Sequence, residues 1–546
     1  MMDYEGANLL PGENSVNNHN SANSPKPLDK ECKFCSVSAA AVLGVKGILV
    51  SIECVAGRGA SFTLVGLPDA AVKESHQRII AAIQQSGMHY PIGRYTINMA
   101  PADVKKEGAA YDLPIAVAML MSLGVVDVPQ TTMIMGELSL DGTIRPIKGV
   151  LPMAVLAAKE GFQNLVVPYA NAREAAVVEG IRVYGAKTLK SVIDFFKGQE
   201  NALEHFVPGD FYQTMHAELS EADLDFADVK GQESVKRALE IAAAGMHNIL
   251  MIGPPGSGKS MMAKRVSTIL PPLTLEESLE TTMVHSVAGE LGTDTSLLYQ
   301  RPFRAPHHSL SAVAMVGGGS TPKPGEISLC HNGVLFLDEL PEFPRVVLEV
   351  LRQPLEDRVI TVSRAKMSVT YPASFMLVAS MNPCPCGHYN NPQKKCKCLP
   401  HQVLSYLGRI SGPLLDRIDI QCEIIPVPFE ALSSKQKGEP SSAIRERVLK
   451  ARAMQRERFA REPHIYANAQ MTPAMLQRYV RVDKQGLDCL KMAMEKFALS
   501  ARAYDRILKV SRTIADLAGS PEVLVQHVAE AVGYRKLDRD SWGQPL

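Results

Sequence analysis

The feature that most constrains the fold of this chain is the run Gly253-Pro-Pro-Gly-Ser-Gly-Lys-Ser260. It follows an apolar, strand-like stretch at 248–252 and precedes a stretch with helical periodicity. Between a strand and a helix, glycines at this spacing let backbone N–H groups converge on phosphate oxygens, and the helix points its positive end at them. We therefore predict an α/β fold with a phosphate-binding loop. The residues predicted to form this cradle are Gly253, Pro254, Pro255, Gly256, Ser257, Gly258, Lys259 and Ser260.

Charged and metal-binding groups are expected around this loop. Lys259 would neutralise the β- and γ-phosphates of ATP, and the Ser260 hydroxyl would bind Mg²⁺. The apolar run 334–337 ends in Asp338 and Glu339, as in a buried parallel strand that delivers carboxylates to a ligand-binding sheet edge. We predict that Asp338 holds Mg²⁺, usually through water, and that Glu339 is the general base for the attacking water. ATP and Mg²⁺ are the expected cofactors.

Two further residues are candidates for the same reaction. Asn382 follows the strand-like run 375–380, so its amide could fix the attacking water or the γ-phosphate. Arg417 lies in Leu414-Leu-Asp-Arg-Ile-Asp419. An arginine supplied across a subunit interface stabilises charge on the transferring phosphoryl group. Position alone makes a salt bridge from Arg417 to Asp416 or Asp419 an equal alternative.

Length and composition limit the class of protein. A chain of 546 residues exceeds the about 100–200 residues of one domain, so two or three domains are expected. Hydrophobic residues at 46% and charged residues at 21% are typical of a soluble globular protein, and the net charge of +1 decides nothing about nucleic acid. The best apolar run, 115–126, is 12 residues, short of the roughly 20 that a membrane helix needs. We expect a cytoplasmic location and ten cysteines that are reduced or metal-bound.

The pattern along the chain predicts four regions. Residues 1–36 are polar and are predicted to be a disordered tail in which Cys32 and Cys35 are incidental. Residues 37–200 and 222–430 alternate strand-like and helix-like stretches, and 440–546 is dominated by helical periodicity. Among the predicted elements are one helix over 71–86, one strand over 133–138, a β-hairpin over 357–370 and a helix over 521–532.

Cys384, Cys386, Cys396 and Cys398 lie within fifteen residues as two CxC pairs. Four thiolates suit tetrahedral Zn²⁺, although CxC is tighter than the usual CxxC. We predict a structural zinc knuckle that raises three neighbouring lysines toward nucleic acid, with His401 as a spare ligand and free cysteines as the alternative. The lysines are Lys394, Lys395 and Lys397.

The predicted hairpin carries three basic residues that could follow the phosphates of DNA, namely Arg358, Arg364 and Lys366. The alternative is that they are solvated hairpin side chains. A long Gly/Pro-rich stretch at 289–333, which contains His307 and His308, is also a candidate functional segment because long connections inside a compact domain usually are.

Several longer motifs together resemble one family. They are Asp225-Phe-Ala-Asp-Val-Lys-Gly-Gln232, Arg304-Ala-Pro-His-His308, Met381-Asn-Pro-Cys-Pro-Cys-Gly387, Ser411-Gly-Pro-Leu-Leu-Asp-Arg-Ile-Asp419 and Ser500-Ala-Arg-Ala-Tyr-Asp-Arg-Ile-Leu508. From about residue 37 to the C-terminus the chain resembles the magnesium-chelatase-like ComM/YifB family of AAA+ ATPases. The resemblance implies a hexameric ring that acts on DNA as a branch-migration helicase in homologous recombination and natural transformation.

The resemblance also implies roles for single residues and a fold for the first domain. Asn382 would be sensor 1, Arg417 the arginine finger, and Arg502 the sensor 2 arginine, with Arg506 as its rival. Residues 106–112 and 136–142 resemble the Lon protease catalytic domain. Ala110 and Leu151 align with the Ser and Lys that Lon uses, so no peptidase activity is expected.

Two other functions remain open at the level of sequence. A magnesium-chelatase subunit that drives metal into a porphyrin would share the ATPase motifs, but it is not expected to carry the Lon-like domain or the four cysteines. A protein unfoldase is disfavoured by the missing Ser–Lys pair and by the lack of an obvious aromatic pore loop.

Overall fold

Two sheets and a helical bundle organise the chain. The computed structural model describes residues 34–90, 93–209, 224–292, 295–319, 322–364, 367–389, 394–427, 437–462, 464–497 and 499–535. Most of the predicted tail, including Cys32, and the hairpin residue Lys366 lie outside these ranges. Within them, no helix has the length and apolarity that crossing a membrane requires.

The amino-terminal sheet lies in the region that resembles Lon. The strands of this region are β1 (Phe34–Leu43), β2 (Lys46–Gly57), β3 (Ser61–Val65), β4 (Arg94–Ala100), β5 (Thr132–Ile134), β6 (Glu137–Leu138), β7 (Ile144–Arg145), β8 (Asn164–Pro168), β9 (Arg182–Ala186) and β10 (Glu204–Phe206). Eight of them form one mixed sheet in the order β10-β9-β8-β5-β1-β2-β4-β3, and β6 pairs with β7 separately.

Six helices cover this sheet. They are α1 (Ala70–Lys73), α2 (Ser75–Gln85), α3 (Asp112–Ser122), α4 (Val150–Lys159), α5 (Ala172–Ala175) and α6 (Leu189–Phe196), with 3₁₀ turns at Ala109–Tyr111, Tyr169–Asn171 and Glu200–Ala202. Helix α3 is apolar on nearly every face and is almost wholly buried against β1 and β2. An all-round apolar helix is stable only inside a core, so α3 fixes the centre of this domain.

The second sheet is fully parallel, as its apolar strands predict. Strands of this region are β11 (Ile249–Ile252), β12 (Phe303–Arg304), β13 (Gly317–Gly318), β14 (Lys323–Pro324), β15 (Val334–Leu337), β16 (Val359–Arg364), β17 (Met367–Pro372), β18 (Met376–Met381) and β19 (Ile420–Glu423). The sheet order is β12-β15-β18-β11-β19, and the central strands β15, β18 and β11 are buried along their whole length. The predicted hairpin is confirmed as β16 paired with β17.

Helices flank this second sheet and then form the carboxy-terminal bundle. Those around the sheet are α7 (Glu233–Gly245), α8 (Lys259–Ile269), α9 (Leu275–Ala288), α10 (Ala312–Val316), α11 (Glu326–Leu329), α12 (Arg345–Val350), α13 (Arg352–Asp357), α14 (Pro400–Leu407) and α15 (Gly412–Leu415), with 3₁₀ turns at Phe226–Asp228 and Leu340–Glu342. The bundle comprises α16 (Ser441–Arg458), α17 (Pro473–Tyr479), α18 (Lys484–Phe497), α19 (Ala501–Leu517) and α20 (Val525–Gly533), with a 3₁₀ turn at Asn468–Gln470. Helices α16 and α19 pack on α7, which attaches the bundle to the sheet domain.

The two sheet domains meet through α4 and α9. The backbone N–H of Gly149 donates to the carbonyl of Ser286 at 3.1 Å, and the Ser286 hydroxyl donates to the carboxylate of Glu174. Burial raises the pKa of Glu174, although its hydrogen bonds to Ser286 and to the Leu151 N–H oppose that shift. The Leu151 position therefore belongs to the joint between the domains.

Four sequence predictions differ from the structure in their boundaries. Strand β1 begins at Phe34, so Cys35 lies opposite Cys54 in the sheet rather than in a tail. The predicted helix over 71–86 is two helices that break at Glu74, which ends one and begins the other. The predicted strand over 133–138 is β5 and β6, because Gly136 packs closely on Leu113 of α3 between them. The last helix begins at Val525, since the Pro521 carbonyl accepts from Arg512 and the Val523 N–H donates to Arg481.

Candidate ATP site and its surroundings

The glycine-rich loop connects β11 to α8, as predicted. Gly256 and Gly258 have φ of +76° and +86°, a conformation that side-chain-bearing residues rarely adopt. The Gly253 N–H donates to the Met381 carbonyl at 3.2 Å, and a Cβ on Gly253 would lie 2.8 Å from the Ile424 carbonyl oxygen. The loop is therefore built for close backbone approach, which is the property that a phosphate cradle needs.

Lys259 begins α8 and points its ammonium group back over the loop. Its Nζ donates to the carbonyls of Gly253 at 2.8 Å and Pro254 at 3.0 Å, and to Oδ1 of Asn382 at 3.2 Å. Burial lowers the pKa of Lys259, and the charges of Asp338 and Glu339 oppose that shift. The structure thus brings together the predicted loop lysine, the predicted carboxylates and Asn382.

Asp338 lies at the carboxyl end of β15 and contacts the loop directly. The Ser260 hydroxyl donates to Asp338 Oδ2 at 2.5 Å, and the Ser380 hydroxyl donates to Oδ1. A hydroxyl beside a carboxylate is the oxygen set that Mg²⁺ prefers, so Ser260 and Asp338 fit that ion. Ser380 was not among the predicted site residues, although its place at the end of β18, two residues before Asn382, is a signal for it.

Glu339 differs from Asp338 in exposure and backbone conformation. It has a φ of +53°, and its side chain is 54% exposed. A residue with a Cβ seldom adopts a left-handed conformation unless the surrounding structure imposes it, and such residues cluster at functional sites. Nδ1 of His308 lies 3.9 Å from Oε2 of Glu339, and the rings of His307 and His308 are in tilted contact with centroids 4.0 Å apart. His308 therefore links the 289–333 segment to the predicted general base.

Arg417 lies at the opposite end of the sheet. Its carbonyl accepts from the Asn248 side chain at 3.1 Å, just before β11 begins, whereas the phosphate loop follows the end of that strand. The guanidinium is buried, donates to the Pro413 carbonyl at 2.7 Å and pairs with Glu356. Neither Asp416 nor Asp419, the partners considered from sequence, forms this ion pair.

Arg502 and Arg506 have different environments on α19. Arg506 donates to Oδ1 of the buried Asp419 at 2.9 Å. Burial alone would raise the pKa of Asp419, but Arg506, His247 and Lys509 hold it well below its ordinary value. Arg502 is exposed in the first turn of the helix. Of the two rivals for the sensor 2 role, Arg506 is therefore engaged in a structural ion pair.

Of the three basic residues of the predicted hairpin, Arg358 is the one whose side chain the structure describes. Arg358 ends α13 with a φ of +57° and lines a small cavity with Asp419 and Arg506. Burial, followed by the charge of Arg506, lowers the pKa of Arg358 to about 10. This position does not favour a phosphate contact. The Arg364 side chain and Lys366 lie outside the described residues.

The four cysteines converge, as predicted. The Sγ atom of Cys384 lies 3.4 Å from that of Cys386 and 3.7 Å from that of Cys396, and the Cys386 and Cys396 sulfurs are 3.6 Å apart. The four Sγ atoms, including that of Cys398, all lie within 4.8 Å of one another. His401, the spare ligand considered from sequence, is not part of this group.

The parallel sheet with its loop, Lys259 and strand-end carboxylates defines a P-loop ATPase of the AAA+ class. Family profiles agree: "Magnesium chelatase, subunit ChlI" matches residues 225–432, "Subunit ChlI of Mg-chelatase" matches 50–171, and "Magnesium chelatase, subunit ChlI C-terminal" matches 438–535. The chain is 44% identical over 509 residues to Competence protein ComM of Haemophilus influenzae, covering 92% of this chain and 97% of that protein. It is 43% identical over 508 residues to the uncharacterized protein YifB of Escherichia coli K12, with the same coverage. The chain belongs to the magnesium-chelatase-like ComM/YifB family of AAA+ ATPases.

Two shorter matches concern other proteins. The chain is 25% identical over 123 residues to Lon protease 2 of Bacillus subtilis, which is 22% of each chain. It is 36% identical over 93 residues to the DNA repair protein RadA of Escherichia coli, which is 17% of this chain and 20% of that protein. These partial matches support the Lon-like fold of the amino-terminal domain. Ala110 lies in a 3₁₀ turn there, and Leu151 is buried in α4.

Proposed function

We propose that this chain is a ring-forming ATPase that couples ATP hydrolysis to branch migration and unwinding of DNA in the cytoplasm. Homologous recombination during natural transformation is the process we infer for it. The family membership supports the ATPase activity. The 97% coverage of a relative named as a competence protein supports the process.

The observation that carries the proposal is the contact of Ser260 with Asp338, 2.5 Å between oxygens, beside Lys259 and Glu339. Mg²⁺ held by Ser260 and Asp338 would draw charge from the phosphates of ATP. Lys259 stabilises the negative charge that develops on the transferring phosphoryl group, and Asn382 orients Lys259 through its Oδ1. Glu339, exposed beside this group, accepts the proton of the attacking water.

We infer a ring from the place of Arg417. It lies at the amino end of β11, four residues of strand away from its own phosphate loop, a length of about 13 Å. An arginine there cannot stabilise a phosphoryl group in its own site, but it can serve the site of a neighbouring copy. We propose a hexamer that assembles with ATP and DNA, in which Arg417 is the arginine finger and the exposed Arg502 is the sensor 2 arginine.

The DNA contacts we propose lie on the β16–β17 hairpin and beside the four-cysteine cluster. Arg364, Lys366 and the lysines near Cys396 would neutralise phosphates without reading sequence. Besides ATP and Mg²⁺, Zn²⁺ at the four cysteines is the cofactor we propose.

A magnesium-chelatase subunit is the alternative function, because the matching family profiles carry that description. The profile "Subunit ChlI of Mg-chelatase" covers residues 50–171, so the amino-terminal domain alone does not separate the two functions. The four cysteines and the nearly full-length similarity to ComM favour the DNA motor.

One experiment separates these functions. The full-length protein is assayed for ATPase activity with and without DNA and for movement of a mobile four-way junction, with Glu339→Gln as the inactive control. We expect DNA to stimulate hydrolysis and the junction to move only with ATP and the unaltered protein. If DNA does not change the rate of hydrolysis and the junction does not move, the proposed DNA motor function is contradicted, while the ATPase assignment is not.

A further inference from the structure

The four-cysteine cluster has the dimensions of a metal site. Zinc with four sulfur ligands at 2.3 Å places neighbouring sulfurs about 3.8 Å apart in a regular tetrahedron. The three measured separations among Cys384, Cys386 and Cys396 lie between 3.4 and 3.7 Å. These separations match a metal tetrahedron and are far longer than the about 2.05 Å of a disulfide.

Backbone groups are also arranged to favour sulfur in its anionic form. The Tyr389 N–H donates to Sγ of Cys384 at 3.3 Å, and the Cys398 N–H donates to Sγ of Cys396 at 3.4 Å. Such N–H donors stabilise thiolates, which are the form that binds metal, and they orient the ligands from outside the coordination shell. All four cysteines are free rather than cross-linked.

The four-cysteine cluster lies next to the nucleotide site, both in the sequence and in the structure. Cys384 comes two residues after Asn382, which accepts from Lys259. Gly387, between the two CxC pairs, has a φ of +77° and touches the loop residue Pro255, since a Cβ on Gly387 would lie 2.4 Å from Cδ of that proline. The turn that makes this contact is closed by the Gly387 N–H, which donates to the Cys384 carbonyl at 2.9 Å.

The chain that follows the last cysteine of the cluster also returns to Asn382. Helix α14 starts two residues after Cys398 and brings Tyr406 close to the backbone of Asn382. The segment from Cys384 to Tyr406, of which 390–393 lie outside the described residues, thus forms a loop that begins and ends near Asn382, and its Gly387 packs against Pro255. The four sulfurs are the polar cluster that closes this loop in the described residues.

We propose that Zn²⁺ bound by the four cysteines holds this loop against Pro255 and Asn382, so that the metal sets the affinity of the site for nucleotide. The inference rests on the proposed nucleotide site and adds a second, structural ion that regulates it. Without the metal the loop loses its closure, and the phosphate cradle loses the packing of Gly387 on Pro255. Loss of the metal should therefore weaken the binding of nucleotide and not only the binding of DNA.

The test measures metal content and nucleotide affinity separately, with no DNA present. Wild type purified without chelator is compared with Cys396→Ser, which removes one ligand, and with Gly387→Ala, which keeps all four. Cys489→Ser, on α18 away from the cluster, is the matched control for losing a thiol. Zinc is quantified by elemental analysis, and binding of a fluorescent ADP analogue gives the Kd.

We expect about one zinc per wild-type and Cys489→Ser chain, less than half for Cys396→Ser, and wild-type zinc for Gly387→Ala. The Kd for nucleotide should rise at least fivefold in Cys396→Ser and in Gly387→Ala. Removing zinc from wild type with a chelator should weaken binding equally, and restoring zinc should reverse it. This step excludes misfolding of a variant as the cause.

Each other outcome overturns a distinct statement. Wild type with less than half an equivalent of zinc removes the metal site. Metal-free protein whose Kd stays within twofold of the zinc-loaded value removes the coupling but keeps the ATP site. Zinc-loaded wild type that binds no nucleotide contradicts the proposed function itself.

Discussion

Arg506 and Asp419 form an ion pair, with 2.9 Å between Nη1 and Oδ1, that joins the helical bundle to the sheet domain. Asp419 is fully buried and comes two residues after Arg417. It also accepts from the backbone N–H of Asn248 at 3.1 Å and lies 3.3 Å from Nδ1 of His247. The bundle is therefore attached at the segment that carries the proposed arginine finger.

This pair allows the two sensor 2 candidates to be distinguished. Arg506→Ala leaves Asp419 buried without its closest cation, and removing one partner of such a pair costs about 3 kcal/mol or more. We expect a fall in Tm of several degrees for Arg506→Ala. Arg502→Ala changes an exposed side chain, so its Tm should stay at the wild-type value while ATP turnover falls at least tenfold. Thermal unfolding and steady-state ATPase assays on both variants check this, and equal Tm values would contradict the structural role of Arg506.

The sequence predicted the parts of the site that depend on local order. The loop 253–260 and the pair Asp338–Glu339 each follow an apolar strand, and parallel strands bring their carboxyl ends to one edge whatever the connections between them. The contact between Ser260 and Asp338 is a consequence of that rule. The same holds for Asn382 after β18.

Other features depend on contacts between distant residues and were not predictable. The partner of Arg417 is Glu356, which lies on α13, and no local pattern marks that pairing. Arg358 was predicted to lie on the hairpin, but it ends α13 with a left-handed backbone that turns it toward Asp419.

Glu339→Gln should separate binding from hydrolysis. The amide keeps the shape of the exposed side chain but cannot accept a proton from water, and loss of a general base typically costs about 10²–10⁴-fold in rate. We expect ATP affinity within about threefold of wild type and turnover at least 100-fold lower. Lys259→Ala is the contrasting variant and should weaken nucleotide binding itself. Nucleotide titrations and single-turnover hydrolysis measure the two effects, and normal turnover in Glu339→Gln would exclude Glu339 as the base.

His308 should affect turnover more than affinity. It contacts Glu339 across 3.9 Å and makes no contact with the loop among those described. His308→Ala removes a group that orients the carboxylate, so we expect kcat to fall about tenfold while the Kd for nucleotide is unchanged. His307→Ala is the control, because His307 packs on the His308 ring and hydrogen-bonds Ser309 but does not contact Glu339. Equal kcat values for the two variants would show that the His308 contact is incidental.

Arg417→Ala should abolish ATP hydrolysis at the site of the neighbouring subunit and not at the site of its own chain. In a mixed ring with Glu339→Gln, some interfaces join an intact Glu339 of one chain to an intact Arg417 of the other. Two inactive variants should therefore recover part of the wild-type ATPase activity when mixed. Glu356→Gln, which releases Arg417 from its ion pair, should keep activity. Mixtures that remain inactive at every ratio would favour a purely structural role for the Arg417–Glu356 pair.

Lowering the pH should reduce the stability that the ion pair between Asp419 and Arg506 provides. Burial works against the ionised carboxylate, but Arg506, His247 and Lys509 lower the pKa of Asp419 in the folded chain below its unfolded value of about 3.9. A carboxyl group with a depressed folded pKa stabilises fully above the unfolded pKa, and its contribution is lost as the pH falls through the lower folded value. We expect the free energy of unfolding of wild type to exceed that of Asp419→Asn by about 3 kcal/mol near pH 6. The difference should shrink as the pH falls below about 4. Urea unfolding of both proteins from pH 6 down to about pH 2 measures the difference directly, which cancels the titration of carboxylates that the two share. A gap that is constant, or that widens toward acid, would contradict the ion pair as the source of this stability.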